Sequence, residues 1–292
     1  MVTLRTHLRR SFPRFWQRLH TLRKDIVEYP HWSRRISEVK KCPDNARIPR
    51  VNHAGKTFSG LQLMHNGIPV LAGSYYGRGG QRLLRQNRGC HEPQEEFIFS
   101  QVLRLLPLRA LILECGAYWG FYSLWFCKEI PDAVAYLIEP DSNNFEVGRR
   151  NFELNGFEGR FFQHWIGSNN TTGSEVRNTT TLDALTQEQS IGHIDILHAD
   201  IQGAELDLLI GAHSLLANQR ISFLFISTHS EQLHVSCETL LHKAHYDPFI
   251  SIPPTQSYSF DGLLVARDHA LKHISFVQPS KKYGVPGMEF RL

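Results

Sequence analysis

The sequence predicts an α/β domain built on a mostly parallel sheet with helices on both faces, and three observations lead there. Strand-like and helix-like segments alternate from residue 111 onward, as they do when a parallel sheet is covered on both sides. The apolar run Leu111, Ile112 and Leu113 gives way at Glu114 to Gly116, Ala117 and Gly120, as where a doubly buried strand turns sharply into a helix. Two later strand-like runs end on acids, Glu139 and Asp200, at the carboxyl edge where open α/β sheets hold their ligands.

At 292 residues the chain has room for one large domain and an N-terminal extension. Its net charge of +4 is unevenly spread. Residues 1–50 hold 13 Lys and Arg against 4 Asp and Glu, or +9, and the remainder 19 against 24, or −5. Five cysteines, Cys42, Cys90, Cys115, Cys127 and Cys237, are scattered without a CxxC pair, which predicts neither a disulfide framework nor a thiolate zinc site and fits a reducing cytoplasm. Arginines interrupt every early apolar run, so no signal peptide is predicted. No run approaches the roughly twenty apolar residues that span a bilayer.

Residues 3–28 carry Leu4, Leu8, Phe12, Phe15, Trp16, Leu19, Leu22 and Ile26 among arginines at roughly helical spacing, interrupted by Pro13. This predicts a solvated helix covering the core or meeting a second copy, in preference to a membrane-surface or polyanion-binding segment. Residues 42–60, with Pro43, Pro49, Gly55 and Gly60, read as a connector. Asn66-Gly67 between short apolar runs predicts a hairpin. Gly77, Gly79 and Gly80 read as a mobile loop, because no strand leads into them and no Lys-Ser/Thr follows. His91 to Glu96 opens a helix with Pro93 and the acids Glu92, Glu95 and Glu96 at its start, which either cap the helix and nothing more or close one side of the ligand pocket.

Within the α/β part, a helix from Gly120 to Lys128 and a strand from Ala133 to Ile138 follow the glycine turn. A second helix spans Asp141 to Asn155, capped by Asp141 or Ser142 and stopped at Gly156. Residues 160–168 read as a third strand and the Thr-rich 168–187 as a loop. An alternating strand from Ile194 ends at Asp200, and Gly203 begins a helix with Leu206, Leu209, Ile210 and Leu216 inward. The next strand delivers Ser227, Thr228 and His229 to the same edge. A helix from Gln232 to Ala244 and strands at Phe249–Ile252 and Gly262–Ala266 close the pattern.

Glu139 stands about twenty residues beyond the glycine turn, where Rossmann-like units place the acid that holds a ribose diol. The turn itself reads ExGxxxG, not GxGxxG, and Glu114 is a poor neighbour for a pyrophosphate. Two carboxylates, Glu114 and Glu139, are thus predicted to flank one nucleoside-sized crevice. That points to cationic S-adenosylmethionine rather than NAD.

Glu114, Gly116, Ala117, Tyr118 and Gly120, then Glu139, Pro140 and Asp141, then Thr181, Leu182 and Asp183, and finally Asp200, Ile201, Gln202, Gly203, Ala204 and Glu205 with Gly211 and Ala212 form an ordered set. On these residues the chain resembles the FkbM-type family of S-adenosylmethionine-dependent methyltransferases. The family usually carries Val or Ile where Cys115 stands, and often Glu where Gln202 stands. The resemblance implies a class I methyltransferase fold, with seven strands of which the last is antiparallel, and O-methylation of a small hydroxylated molecule such as a sugar or natural product. The chain then divides into a basic extension and connector (1–60), a hairpin and helix covering the cofactor site (61–110), a methyltransferase core (111–275) and a tail (276–292).

On this reading Glu139 takes the ribose hydroxyls, Gly116, Ala117 and Tyr118 the methionine end, and Asp141 or Ser142 the adenine side, with Glu114 and Gly120 framing the turn. Asp200 stands at the reaction edge. His229 is the expected general base, its ordinary pKa of about 6.5 suiting proton removal near neutrality. A metal-dependent variant would gather Asp200, His229 and His234 around a divalent ion. The competing class is a nucleoside-binding or partner-docking module without chemistry. The expected partner is a small acceptor, with no nucleic acid, because no basic run accompanies the reaction edge. A homo-oligomer or a surface contact through the basic N-terminus is the other expectation.

Overall fold

The computed structural model describes residues 30–168 and 178–282. The predicted basic helix at 3–28 and residues 169–177 of the Thr-rich stretch lie outside them. The first element, α1, covers residues 30–41 and buries Trp32, Ile36 and Val39, an i, i+4, i+7 face. Strands β1 (Thr57–Phe58), β2 (Leu61–Leu63) and β3 (Pro69–Leu71) form a small antiparallel sheet. Its last two strands join through the predicted Asn66-Gly67 turn, where the Ile68 N–H donates to the Asn66 side chain at 3.2 Å.

The main sheet has the order β11-β12-β10-β9-β4-β5-β6. Here β4 is Leu111–Cys115, β5 Val134–Ile138, β6 Arg160–Phe162, β9 Ile194–Ala199, β10 Ile221–Thr228, β11 Tyr246–Ile252 and β12 Gly262–Asp268. The last strand, β12, runs antiparallel to both neighbours, while the pairs among β6, β5, β4, β9 and β10 are parallel. This is the seven-stranded class I arrangement. Side chains alternate across a strand, so Ile112 enters one core with Phe99, Phe121, Phe126 and Phe225, and Leu113 enters the other with Leu197, Leu208, Leu215 and Leu224. Burying one such side chain fully stabilises the fold by about 1.5–3 kcal/mol. The double coverage explains why these strands read as continuous apolar runs.

The remaining helices are α2 (Gly77–Gln86), α3 (Pro93–Leu103), α4 (Phe121–Glu129), α5 (Ser142–Asn155), α6 (Leu182–Glu188), α7 (Glu205–Ile210), α8 (His213–Ala217) and α9 (Glu231–Lys243). Four differ from expectation. The glycine-rich 77–80 stretch is the first turn of α2, not a loop, because tertiary packing overrides its low helix propensity. A Cβ at Gly79 would lie 2.2 Å from the Trp32 ring, and one at Gly80 2.0 Å from the Tyr75 carbonyl. The end of the Thr-rich stretch is α6, capped by Thr181, whose hydroxyl accepts from the Ala184 N–H at 3.1 Å. The helix after Asp200 breaks at Gly211 into α7 and α8, with Leu208 and Leu209 buried and Ile210 exposed. Asp183 holds the break, accepting the N–H groups of Ser214 at 2.7 Å and Leu215 at 3.0 Å. The 160–168 strand also splits, since Trp165–Ile166 (β7) leaves the main sheet to pair with Thr179–Thr180 (β8). Among the described residues no helix is long and apolar enough to cross a membrane.

The acids opening α3 are buried, not solvated dipole charges. Glu96 Oε1 accepts the backbone N–H groups of His91 at 2.8 Å and Glu92 at 3.0 Å. The same carboxylate meets His91 Nδ1 at 2.7 Å and His65 Nε2 at 3.1 Å. Burial alone would raise the Glu96 pKa, but the two imidazoles outweigh it and hold it well below the usual range. Burial lowers His91, and Glu92 and Glu96 overcome that to raise it. Glu96 therefore contributes its stability above pH 4.5 and loses it as pH falls through the depressed value. His91 contributes below pH 6.5 and loses its share as pH rises through the raised one. Glu96→Gln should destabilise the protein by about 3–5 kcal/mol, as breaking buried charge pairs does, and should flatten both pH limbs. Urea unfolding across pH checks both.

Candidate active site

Parallel register brings the carboxyl ends of β5, β4, β9 and β10 into one row, carrying Glu139, Gly116, Asp200 and His229 respectively. A cavity of about 420 Å³ opens at this edge, within the ~300–1,000 Å³ of small-molecule sites. Tyr76, Gly116, Tyr118, Glu139, Asp141, Asn144, Trp165, Asp200 and Ile201 are among its lining residues. It adjoins an inner chamber of about 90 Å³ bordered by Arg35, Glu92, Glu114, Tyr122, His198 and Asp261. Tyr76, Gly116, Tyr118, Asp200 and Gln202 line both, so Asp200 stands at the junction.

Glu139 is fixed by the turn it faces. Its Oε2 accepts the Tyr118 N–H at 2.9 Å and its Oε1 the Asp141 N–H at 2.9 Å. A carboxylate has about four lone-pair sites, so acceptor capacity remains. Asp141 caps α5, accepting from Asn143 and Asn144 N–H groups at 2.9 and 3.0 Å, while Ser142 is the first helical residue and lines neither cavity. Gly120 is the N-cap of α4, and Ala117 borders the inner chamber.

Gly116 has a φ of +74°, and a Cβ there would lie 1.9 Å from the Asp200 carbonyl oxygen. Backbone cannot yield cheaply at that distance, so Gly116→Ala should push the β4 and β9 ends apart. The expected result is loss of ligand binding together with a lower melting temperature, read by calorimetry and thermal unfolding.

Three site expectations are corrected. Glu114 does not face Glu139 across a single crevice. It is buried, its Oε2 accepts the Ser123 N–H at 3.1 Å, and it borders the inner chamber only. His229 is not a free imidazole, because Nε2 lies 3.2 Å from Asp200 Oδ1 and Nδ1 3.0 Å from Glu205 Oε1. Burial lowers its pKa, but these carboxylates raise it to about 10. Such an imidazolium has no lone pair to accept a proton at neutrality, so His229 does not suit general-base work. His234 does not join it: its Nδ1 is 2.8 Å from Thr228 Oγ1 and its Nε2 3.0 Å from Ser251 Oγ.

The inner chamber adds Arg35, Tyr122 and His198, which the sequence did not single out, to Glu92 and Asp261. Tyr122 OH donates to Glu92 Oε2 at 2.9 Å. Arg35 lies 3.9 Å from Glu92 and 3.7 Å from Asp261. His198 Nε2 meets Glu95 Oε1 at 2.7 Å; burial lowers its pKa, but Glu95 and Glu114 bring it up to about 9. Burial, with further increments from Glu95 and Asp200, pushes the Glu92 carboxyl up to about 7. A larger cavity of about 700 Å³, lined by Arg50, Leu103, Leu108, Trp125 and Pro131, includes the segments that lead into β4 and β5. It therefore sits at the opposite edge from the strand ends.

Residues 114–248 match the family model described as the methyltransferase FkbM domain. This stretch is similar to the FkbM methyltransferase domain. The matched stretch holds Glu139, Asp200, Glu205 and His229, whereas Arg35, Tyr76, Glu92 and Asp261 come from the chain on either side of it. A search of curated proteins finds no match. Three solved structures are similar to parts of the chain. A ribosomal protein L11 methylase from Lactobacillus delbrueckii subsp. bulgaricus is 17% identical over 59% of this chain and 80% of its own, with a TM-score of 0.39. A precorrin-6y C5,15-methyltransferase from Geobacter metallireducens is 9% identical over 59% and 87%, with a TM-score of 0.41. TrmK from M. capricolum, in complex with S-adenosyl-homocysteine, is 14% identical over 64% and 71%, with a TM-score of 0.36.

Proposed function

We propose that this FkbM-like domain transfers the methyl group of S-adenosylmethionine to a hydroxyl of a small polar molecule, such as a sugar. The observation that carries this reading is the meeting, at Asp200, of a nucleoside-sized cavity with a polar inner chamber. In the proposed complex Glu139 accepts the ribose hydroxyls, Asp141 and Asn144 border the adenine side, and Gly116 to Tyr118 lie along the methionyl part. The acceptor enters beside Glu92, Tyr122 and Asp261.

Methyl transfer is an in-line displacement: the acceptor oxygen forms a bond to the methyl carbon as the carbon–sulfur bond breaks, and the hydroxyl proton must leave. Alignment and exclusion of water are the protein's main contributions. Glu92 takes the proton on this reading, its value of about 7 matching a base that works near neutrality. Asp200 is kept ionised: burial raises its pKa, but His229 lowers it further. His229 is then a cation that holds Asp200 and Glu205 in position. The acidic lining supports a neutral or cationic acceptor over nucleic acid, whose phosphates it would repel.

The test is transfer of labelled methyl from S-adenosylmethionine to a panel of sugars and hydroxylated metabolites, with homocysteine release as the second readout. Turnover on one class supports the reading. S-adenosylmethionine binding without turnover on any hydroxyl or amine would leave a nucleoside-binding module in its place.

A further inference from the structure

Asp200, Glu205 and His229 each offer one ligand atom, and those atoms lie within 4.8 Å of one another. Two bonds of about 2.1 Å to a shared ion allow donors at most ~4.2 Å apart, so the side chains close in slightly as the ion binds. The three come from two connections of the carboxyl edge: Asp200 and Glu205 bound the one between β9 and α7, and His229 follows β10. Glu205 Oε1 already accepts the N–H groups of Ile201 at 3.0 Å and Gly203 at 3.2 Å, which fixes the carboxylate in place. Its Oε2 is buried and has no hydrogen-bond partner, and the two ring nitrogens of His229 meet carboxylates, Asp200 at 3.2 Å and Glu205 at 3.0 Å. A buried carboxylate oxygen without a hydrogen-bond partner, beside an imidazole and a second carboxylate, needs a physical account.

We propose that Asp200, Glu205 and His229 bind a divalent transition cation at the junction of the two cavities, the ion displacing to solvent the proton that His229 carries in its absence. One imidazole and two carboxylates favour manganese- or zinc-like ions, while the nitrogen argues against magnesium and calcium. Asp200 lines both cavities, and Asp261, which lines the inner one, lies 3.7 Å from His229 Nε2. Open coordination positions of the ion would therefore serve an acceptor hydroxyl in that chamber, and a vicinal diol best of all. The chemical role rests on the methyl-transfer reading. The site rests on geometry alone.

The test titrates Mn²⁺ into the full-length protein, following loss of the free-ion electron paramagnetic resonance signal and the heat of binding. One ion per chain is expected, displaced by Zn²⁺ and weakened at least about 50-fold by Asp200→Asn and by His229→Ala. Glu205→Gln risks the turn that Glu205 holds, so His229→Ala, checked by its melting temperature, is the deciding variant. No binding by the wild type, or equal binding by a folded His229→Ala protein, overturns the site. S-adenosylmethionine calorimetry on the same samples separates the two claims: Mn²⁺ binding with no cofactor binding upholds the ion and removes the reading of the reaction.

Discussion

Glu139→Ala is expected to weaken S-adenosylmethionine binding by about two to three orders of magnitude. Hydrogen bonds to a charged partner contribute about 1.5–3 kcal/mol each, and two ribose hydroxyls would share this carboxylate; each 1.4 kcal/mol is tenfold. The substitution also frees the Tyr118 and Asp141 N–H groups that Glu139 now accepts, so part of the loss would come from the turn itself. Glu139→Gln separates the contributions, because the amide keeps one acceptor oxygen for the turn and gives up the charge. Calorimetry should rank wild type tightest, Gln intermediate and Ala weakest. Equal affinities across the three would remove the cofactor assignment.

Glu92→Gln should lower kcat/KM by about 10²–10⁴-fold, the range contributed by a positioned general base, while leaving cofactor affinity close to the wild type. In the wild type the rate should depend on the ionised carboxylate. Activity is then present above about pH 7 and falls as pH drops through that value. The variant should lose this limb. A residue that only held the chamber in shape would change KM and melting temperature without removing the pH dependence, so the profile distinguishes base from scaffold.

The sheet, the glycine turn after β4 and the Asp141 cap of α5 were legible because each rests on a local signal: a doubly apolar run, a backbone that only glycine accommodates, a carboxylate beside free N–H groups. The seven-stranded order with its antiparallel β12 came from the family resemblance. The α2 glycines misled because what demands them, the Trp32 ring and the Tyr75 carbonyl, lies outside their own segment. The opening of α3 was legible as a helix start and, in one of two readings, as a side of the pocket, but its buried charge pairs were not, since His65 and His198, the partners of Glu96 and Glu95, come from distant strands and loops. His229 was found for its position at the strand end. Its protonation state depends on Asp200 and Glu205, and no spacing in the sequence announces that contact.

The most direct measurement is a crystal structure of the protein with S-adenosylhomocysteine. The account predicts adenosine in the cavity between Glu139 and Ile201, its ribose hydroxyls on the Glu139 carboxylate, and the thioether sulfur turned toward Asp200 and the inner chamber. Ligand lodged instead in the cavity beside Trp125 at the opposite edge of the sheet, with the Glu139 cavity empty, would contradict it.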